Sequence, residues 1–292
     1  MKKIYSLFPI LSGVCFGSAG IFVRELAENM SSTTVIFSRV AFAVVFLALW
    51  IGVTHPEYFK IKLKDIWVFV GAGVLGTLGL NICYNFAINE LTLSLAAVLL
   101  SLAPIFVMIF SFFLFSEPIT LKKIVCIIMA FLGCIMTSGI FESGSGLKWS
   151  WIGIIIGSAG AFYSVFSKIA MKRSYPALTI TFYSTVAIAV VLLPFAQWKN
   201  MFDFLAPSPV SNTFFMFIHS MCTAVLPYVF YTIALNHMDT GKASILCSCE
   251  PVAAMIFGII FFSEMPTFLS IAGLFLVLTS LVILVLPEKN RE

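Results

Sequence analysis

An acidic side chain, Glu250, stands inside a long apolar run, and Ala254 and Gly258 follow it at four-residue steps. On a helix these positions share one face, so the carboxylate lies on a stripe of small side chains. An ionisable group near the middle of a membrane costs about 2.5–3.5 kcal/mol on insertion scales and normally faces protein or water. We therefore expect Glu250 to bind a cationic group or to take up a proton. The alternative is a carboxyl group that bonds a neighbouring serine or tyrosine and locks helix packing.

Two other apolar runs carry polar and aromatic side chains at three- and four-residue steps, and Tyr163 lies near the middle of a third. Such faces are typical of a cavity lining. The expected substrate-binding residues are Asn81, Tyr84, Asn85, Tyr163, His219, Tyr228, Tyr231 and Glu250. Interhelical hydrogen bonds, each worth about 0.6–2 kcal/mol, explain the asparagines and tyrosines equally well. The alternative for His219 and for the tyrosines is an interfacial position.

Two prolines, Pro104 and Pro251, occupy equivalent places in two of the runs. A proline frees the backbone carbonyl one turn earlier, and that carbonyl either contacts a ligand or accompanies a bend. We expect both prolines to kink their helices, with ligand contact as the alternative.

Three further charged residues are expected to have structural or gating roles. Arg39 is the one arginine inside a predicted span, where it pairs with Glu25 or Glu28 or extends toward the aqueous edge. Glu117 and Glu264 end two runs just before turns. We expect each to bond free amides at the start of the following helix.

The sequence lacks the usual motifs of enzymes and ATP-driven pumps. It contains no Walker-type glycine loop, no His-Glu-x-x-His motif and no nucleophile elbow. The seven cysteines fall in apolar runs without metal-ligand spacing. We therefore expect no enzymatic activity, no cofactor and no metal site.

The composition is that of an integral membrane protein. Hydrophobic residues make up 61% of the 292 and charged residues 10%, whereas a soluble domain has about a quarter charged. Runs of about 20 apolar residues are long enough to cross about 30 Å of hydrocarbon as helices. Ten are predicted, near 5–23, 33–53, 66–88, 92–115, 121–140, 149–170, 177–197, 212–235, 243–262 and 268–286.

The chain contains an internal repeat. Residues 84–117 and 231–264 align without a gap at an offset of 147, and thirteen of the 34 positions are identical. We therefore predict a first repeat at 1–140, a linker at 141–148, a second repeat at 149–287 and a tail at 288–292. Because five spans is an odd number, the second repeat is inverted in the membrane relative to the first. The predicted fold is all-α, with ten transmembrane helices in two inverted five-helix repeats.

The basic residues predict the orientation. With ten spans, thirteen lysines and arginines fall on the side of both termini and three fall on the other side. This asymmetry places both termini in the cytoplasm by the positive-inside rule. We expect a multi-pass protein of the cell (plasma or inner) membrane.

The paired motifs resemble those of the EamA family of the drug/metabolite transporter superfamily along the whole chain. The matching features are Tyr84-x-x-Ala87 and Tyr231-x-x-Ala234, Leu102-Ala-Pro104 and Cys249-Glu-Pro251, Phe115-Ser-Glu117 and Phe262-Ser-Glu264, Arg39, Gly133 and Gly273. The resemblance implies ten helices, with helices 1, 3, 4, 6, 8 and 9 around a central cavity, and export or exchange of small metabolites. The chain departs from repeat symmetry where Ala103 pairs with Glu250 and Cys126 with Gly273.

These features predict a secondary transporter that exports or exchanges amino-acid-like or amphipathic solutes by alternating access, with Glu250 as the coupling residue. A passive channel or facilitator and a lipid-handling membrane protein are the alternatives. The expected partners are a small-molecule solute and the lipid bilayer, with a proton and a second copy of the chain as open alternatives. Nucleic acid is not expected, because the cations follow membrane topology rather than forming one patch.

Overall fold

The computed structural model describes residues 2–83, 102–137, 150–263 and 265–286, and those residues contain helices and no strand. The first half of the chain contributes α1 (Leu7–Ala27), α2 (Ser32–Thr54), α3 (Leu63–Cys83), α4 (Ala103–Phe115) and α5 (Leu121–Thr137). The second half contributes α6 (Ser150–Lys172), α7 (Ala177–Phe195), α8 (Pro209–His237), α9 (Thr240–Phe262) and α10 (Phe268–Val285). Short helices lie at Lys2–Tyr5, Pro56–Phe59 and Trp198–Leu205.

The helices confirm an all-α membrane protein. Seven of them, α1, α2, α3, α7, α8, α9 and α10, are long and apolar enough to cross a bilayer. Large apolar side chains such as Leu49, Phe113 and Ile260 are exposed on the outside of the helices, as expected of surfaces that face lipid. Within the described residues α4 has 13 residues and α5 has 17, so the full count of ten spans stays a prediction.

The repeated Phe-Ser-Glu motif ends two helices in the same way. Ser116 follows α4 with φ 56°, and Ser263 follows α9 with φ 53°. The backbone of each serine has the left-handed αL conformation. The Ser116 amide donates to the Phe112 carbonyl and the Ser263 amide donates to the Ile259 carbonyl, each at 3.2 Å. This capping conformation stops an α-helix. The two serines are 147 residues apart, so the repeat in sequence is a repeat in backbone geometry.

Two helices contain a π-helical segment, which the sequence analysis did not predict. These segments span Gly71–Leu78 in α3 and Met221–Val225 in α8, and their last residues are 147 apart. Close packing accompanies the first of them. A Cβ built on Gly73 would lie 2.2 Å from the Ser184 carbonyl oxygen, and one on Gly76 would lie 2.6 Å from the Tyr163 nitrogen. Segments of this kind occur frequently at functional sites.

Helix α9 is broken rather than continuous. Its first piece ends at Cys247 and its second begins at Glu250, with Pro251 in the first turn of the second piece. A proline is tolerated there because that amide has no partner within the helix. Pro104 occupies the same place near the start of α4. In α9 the helix is therefore interrupted just before Pro251, whereas the prediction was a continuous helix kinked at this proline.

The helices of the two halves interlock. α1 packs against α8 and α9 of the second half, and α6 packs against α3 and α4 of the first. α2 packs on α7, and α5 packs along α10. Small residues allow these approaches: a Cβ on Gly13 would lie 2.5 Å from the Cys247 carbonyl oxygen, and one on Gly133 would lie 2.8 Å from that of Gly273. This exchange of contacts has the two-fold pattern expected of inverted repeats.

Candidate solute cavity

A cavity of about 660 Å³ lies between the two halves. Residues of α1, α2, α3, α4, α5, α6, α8 and α9 line it, with Cys134 as the α5 residue. A volume of this size is within the range that takes a small ligand. Helix α2 adds Val35, Ile36 and Arg39 to the lining, although the family resemblance implied a cavity without this helix.

The cavity brings together most of the predicted site residues that the structure describes. Its lining includes Asn81, Tyr163, Tyr228, Tyr231, Glu250, Arg39, Pro104 and Pro251. His219 and Glu117 are described and lie elsewhere. Tyr84, Asn85 and Glu264 lie outside the described residues.

Glu250 begins the second piece of α9, where the helix break leaves it partly exposed to the cavity. Ala254 and Gly258 line the cavity on the same helix, as the four-residue spacing predicted. Gly17 of α1 comes so close that a Cβ on it would lie 2.7 Å from the Glu250 carbonyl oxygen. Among the described residues, the carboxylate has neither an ion pair nor a hydrogen bond. No side-chain lock of the kind given as the alternative is present in that part of the chain.

The tyrosines both line the cavity and join helices. The Tyr163 hydroxyl lies 2.7 Å from Thr232 Oγ1, and the Tyr231 hydroxyl lies 2.8 Å from Ser164 Oγ, so α6 is bonded to α8. The Tyr228 ring meets that of Tyr163 edge-on, with 4.7 Å between centroids. The sequence-based alternatives, cavity lining and interhelical bonding, are therefore compatible at these positions.

Arg39 contacts a neutral amide rather than the acidic residues considered from the sequence. Its Nη2 donates to Asn81 Oδ1 at 2.8 Å, and Asn81 Nδ2 donates to the Thr77 carbonyl at 2.7 Å. The expected pairing with Glu25 or Glu28 is thus wrong for the described structure. The reason is that the first turns of α2 aim Arg39 inward at α3, whereas Glu25 and Glu28 are exposed near the end of α1.

His219 is fully buried and does not line the cavity. Its ring stacks on that of Phe22 with 5.3 Å between centroids, and neither ring nitrogen has a hydrogen-bond partner among the described residues. The π segment Met221–Val225 separates His219 from Tyr228. Because a π turn takes more residues than an α turn, it rotates the residues before it relative to those after it. Regular α-helical spacing predicted that His219 lies on the same face as the tyrosines, and this spacing does not hold across the π segment.

Glu117 caps a helix of the other half. Its Oε1 accepts from the Thr240 amide and hydroxyl, each at 2.9 Å, and its Oε2 accepts from the Gly241 amide at 3.3 Å. The helix that Glu117 caps is α9 and not the following helix α5, so that expectation is corrected. The physical reason is that the first turn of α9 packs beside α4, with Gly241 close to Met108.

Three further charged residues surround this cap, and together they form what we call the closing layer: Glu117, Lys123, Lys168 and Asp239. Lys123 Nζ lies 2.8 Å from Asp239 Oδ2. Lys168 Nζ donates to the carbonyls of Leu235 and, at 3.2 Å, Met238, at the end of α8. A cation at a helix C-terminus is favourable. The closing layer joins α4, α5, α6, α8 and α9 at one end of the cavity.

The opposite end of the cavity lies where α1 ends and α2 begins, because Arg24, Ala27 and Ser32 line it there. The Arg24 guanidinium stands over the Phe262 ring at 4.1 Å. The cavity lining therefore extends from the middle of the helix bundle to this end, and none of the four residues of the closing layer belongs to the lining.

Several polar residues of the site were not predicted from the sequence. Ser244 and Cys247 line the cavity from the first piece of α9, and Ser248 lines it from the break. They continue the stripe of Glu250 and Ala254 at three- and four-residue steps, so helical spacing would have identified them. Helical spacing could not have predicted the pairing of Lys123 with Asp239, because these two residues are 116 positions apart in the chain.

Comparisons with known proteins agree with this architecture. A sequence model of the EamA-like transporter family matches residues 3–139 and again residues 147–286. The pseudopaline exporter CntI of Pseudomonas aeruginosa is 24% identical over 286 residues, which cover 97% of this chain and 96% of that protein. An uncharacterized transporter of Archaeoglobus fulgidus is 28% identical over 228 residues, covering 77% of this chain and 80% of that protein.

A solved crystal structure has the same fold. It superposes with a TM-score of 0.73 and covers 96% of this chain and 95% of its own length. The sequence identity is 14%, so the similarity concerns the fold alone.

Proposed function

Because this chain belongs to the EamA-like transporter family, we propose that it is a secondary transporter that exports or exchanges small metabolites, amino-acid-like or amphipathic, by alternating access. The observation that carries the proposal is a cavity lined by both halves, with the contacts of the closing layer joining helices beyond one end of its lining. A site between inverted repeats that is open to one side at a time suits this mechanism. A relative named as an exporter supports export as the direction.

A passive pore is the competing function. The closing layer argues against it, because four charged side chains and their backbone partners join five helices across the route from the cavity to that end. Opening the route requires these contacts to break while the other end closes. Such a two-state change produces saturation and counterflow, which an open pore lacks.

We infer that the closing layer faces the cytoplasm and that the cavity opens to the outside. The excess of lysine and arginine on the side of both termini supports this orientation in the cell membrane. The repeats at 1–140 and 149–287, joined by the linker 141–148, are the bodies that move against each other. A homodimer is an additional proposal that the mass of the purified particle tests.

Glu250 is our candidate for proton coupling. It is a carboxylate in the cavity that lacks an ion-pair partner in the described part of the chain. A lone carboxyl group inside a membrane protein is costly when charged, so binding a proton or a cationic group relieves that cost. Such a site exchanges a proton for a cationic group when the cavity closes to one side of the membrane and opens to the other.

The first experiment identifies the solute. Cells that produce the protein are compared with cells that produce a Gly17→Trp variant, whose side chain cannot fit between α1 and α9. Mass spectrometry of the culture medium is expected to show small amphipathic metabolites enriched by the intact protein alone. Identical media would contradict export.

The second experiment tests coupling with the exported solute in proteoliposomes. We expect an imposed pH gradient to drive uptake by the intact protein. The Glu250→Gln variant should keep solute counterflow and lose the response to the gradient, because the amide cannot take up the proton. Glu28→Gln neutralises an exposed carboxylate outside the cavity lining and is the matched control. An unchanged pH response in Glu250→Gln rejects the coupling role.

A further inference from the structure

The cavity contains a cation and an anion contributed by different halves of the chain. Arg39 comes from α2 and Glu250 from α9, and both line the same cavity. One solute in the cavity therefore has access to two charges of opposite sign.

The internal repeat does not explain either charge. At the offset of 147, Glu250 corresponds to Ala103, and α7, the counterpart of α2 in the second half, contains neither lysine nor arginine. Where the duplication preserves helix ends, prolines and tyrosines, it preserves neither of these side chains. If these charges had a structural role common to both halves, we would expect similar residues at the equivalent positions. We therefore infer that the two charges have a role that the two halves do not share.

Neither charge is compensated in the described part of the chain. The contact of Arg39 is the neutral Asn81 amide, and its Nε is buried without a hydrogen-bond partner. The Glu250 carboxylate has no ion pair there. Isolated charges inside a membrane protein are costly and commonly mark substrate or ion pathways.

We propose that the solute is zwitterionic, with its carboxylate bound by Arg39 and its ammonium group bound by Glu250. This inference rests on the proposed transport function and names its substrate class. A guanidinium matches a carboxylate in shape and forms strong charge-assisted hydrogen bonds. Asn81 is the positioning residue, because its Oδ1 holds Nη2 and its Nδ2 is anchored on the Thr77 carbonyl. Apolar side chains such as Ile21, Leu80 and Phe257 surround the remainder of the solute.

The test uses the purified full-length protein in detergent and the twenty standard amino acids. Thermal stabilisation, which reports binding to the folded state, is measured for each amino acid, for its amide and for its N-acetyl derivative. The amide lacks the carboxylate, and the N-acetyl derivative lacks the ammonium group. We expect at least one amino acid to stabilise the protein and both of its derivatives to bind at least about 10-fold more weakly, the loss typical of a hydrogen bond to a charged group.

Variants then assign the end of the solute that carries the carboxylate. Arg39→Gln is expected to weaken binding of the amino acid while leaving the affinity for its amide unchanged, and Asn81→Ala should do the same to a smaller degree. Lys64→Gln removes an exposed cation outside the cavity lining and is the control. A merely structural role of Arg39 would weaken both ligands equally and would overturn the assignment.

The wild-type measurements decide the proposal even where a variant fails to fold. An amide or N-acetyl derivative that binds as tightly as its parent, or a protein that none of the twenty amino acids stabilises, overturns it. If no amino acid binds but the export experiment finds another solute in the medium, the proposed transport function stands and the zwitterion inference fails. If nothing is exported or bound, both fail.

Discussion

At the scale of single residues, Glu117 connects the two halves of the protein. Its carboxylate accepts two amides and a hydroxyl from the first turn of α9, where a helix presents unbonded amides and a positive dipole end. This acceptor belongs to α4 of the first half. A single side chain therefore joins the helix that ends at the closing layer to the helix that carries Glu250.

We expect Glu117→Ala to lower the free energy of unfolding by about 1–2 kcal/mol, the usual loss when a helix cap is removed. Reversible denaturation of the purified protein measures it. Glu57→Ala removes an exposed carboxylate at the short helix Pro56–Phe59 and is expected to change stability by less than about 0.5 kcal/mol. Equal stabilities of the two variants would show that the cap contributes little.

At the scale of helices, the site depends on how closely α1 approaches α9. Gly17 lies against Ala253 and Ala254 as well as against the backbone of Glu250. The break at Ser248 and Cys249 places Glu250 at the start of a new helical piece instead of within a continuous one. Close packing and the helix break together determine where the carboxylate stands.

Gly17 and Gly20 provide a matched pair for testing this packing. A Cβ at Gly17 would lie 2.7 Å from Ala253 Cβ, whereas one at Gly20 has no neighbour within 4 Å. We expect Gly17→Ala to destabilise the protein by about 1–3 kcal/mol through overpacking. Gly20→Ala is expected to be neutral or stabilising by up to about 1 kcal/mol, because alanine favours the helix.

Thermal unfolding of both variants in the same detergent measures the difference. If Gly17→Ala unfolds at the same temperature as Gly20→Ala, the contact between α1 and α9 is looser than the structure indicates.

At the scale of the whole molecule, the two halves are interdependent. α1 and α6 each pack on helices of the other half, so neither half buries its apolar faces alone. Exchange of the first helices around a pseudo-two-fold axis requires opposite orientations of the two halves in the membrane. With ten spans, we expect both ends of the chain to lie on one side of the bilayer.

Thiol labelling of intact cells tests this orientation. In a cysteine-free background, single cysteines are placed at Lys3, at Asn290 and, as an outer control, at the exposed Asn29 between α1 and α2. A membrane-impermeant maleimide should label the Asn29 position in intact cells and the two terminal positions only after permeabilisation. Labelling of one terminus but not the other in intact cells would contradict the arrangement.

The sequence by itself determined the fold class and the membrane character, because both follow from the length of apolar runs and from a duplication at a constant offset. It also predicted that Glu250, Tyr228, Tyr231 and Asn81 line the cavity, since helical spacing marks a polar face without knowledge of its neighbours, and it predicted the same for Tyr163 from its place near the middle of its span. Only the tertiary structure showed which residues these side chains contact. Glu117 meets α9, Arg39 meets Asn81, and π segments and a helix break change the register at His219 and Glu250. These contacts join residues far apart in the chain, and local periodicity carries no information about such distances.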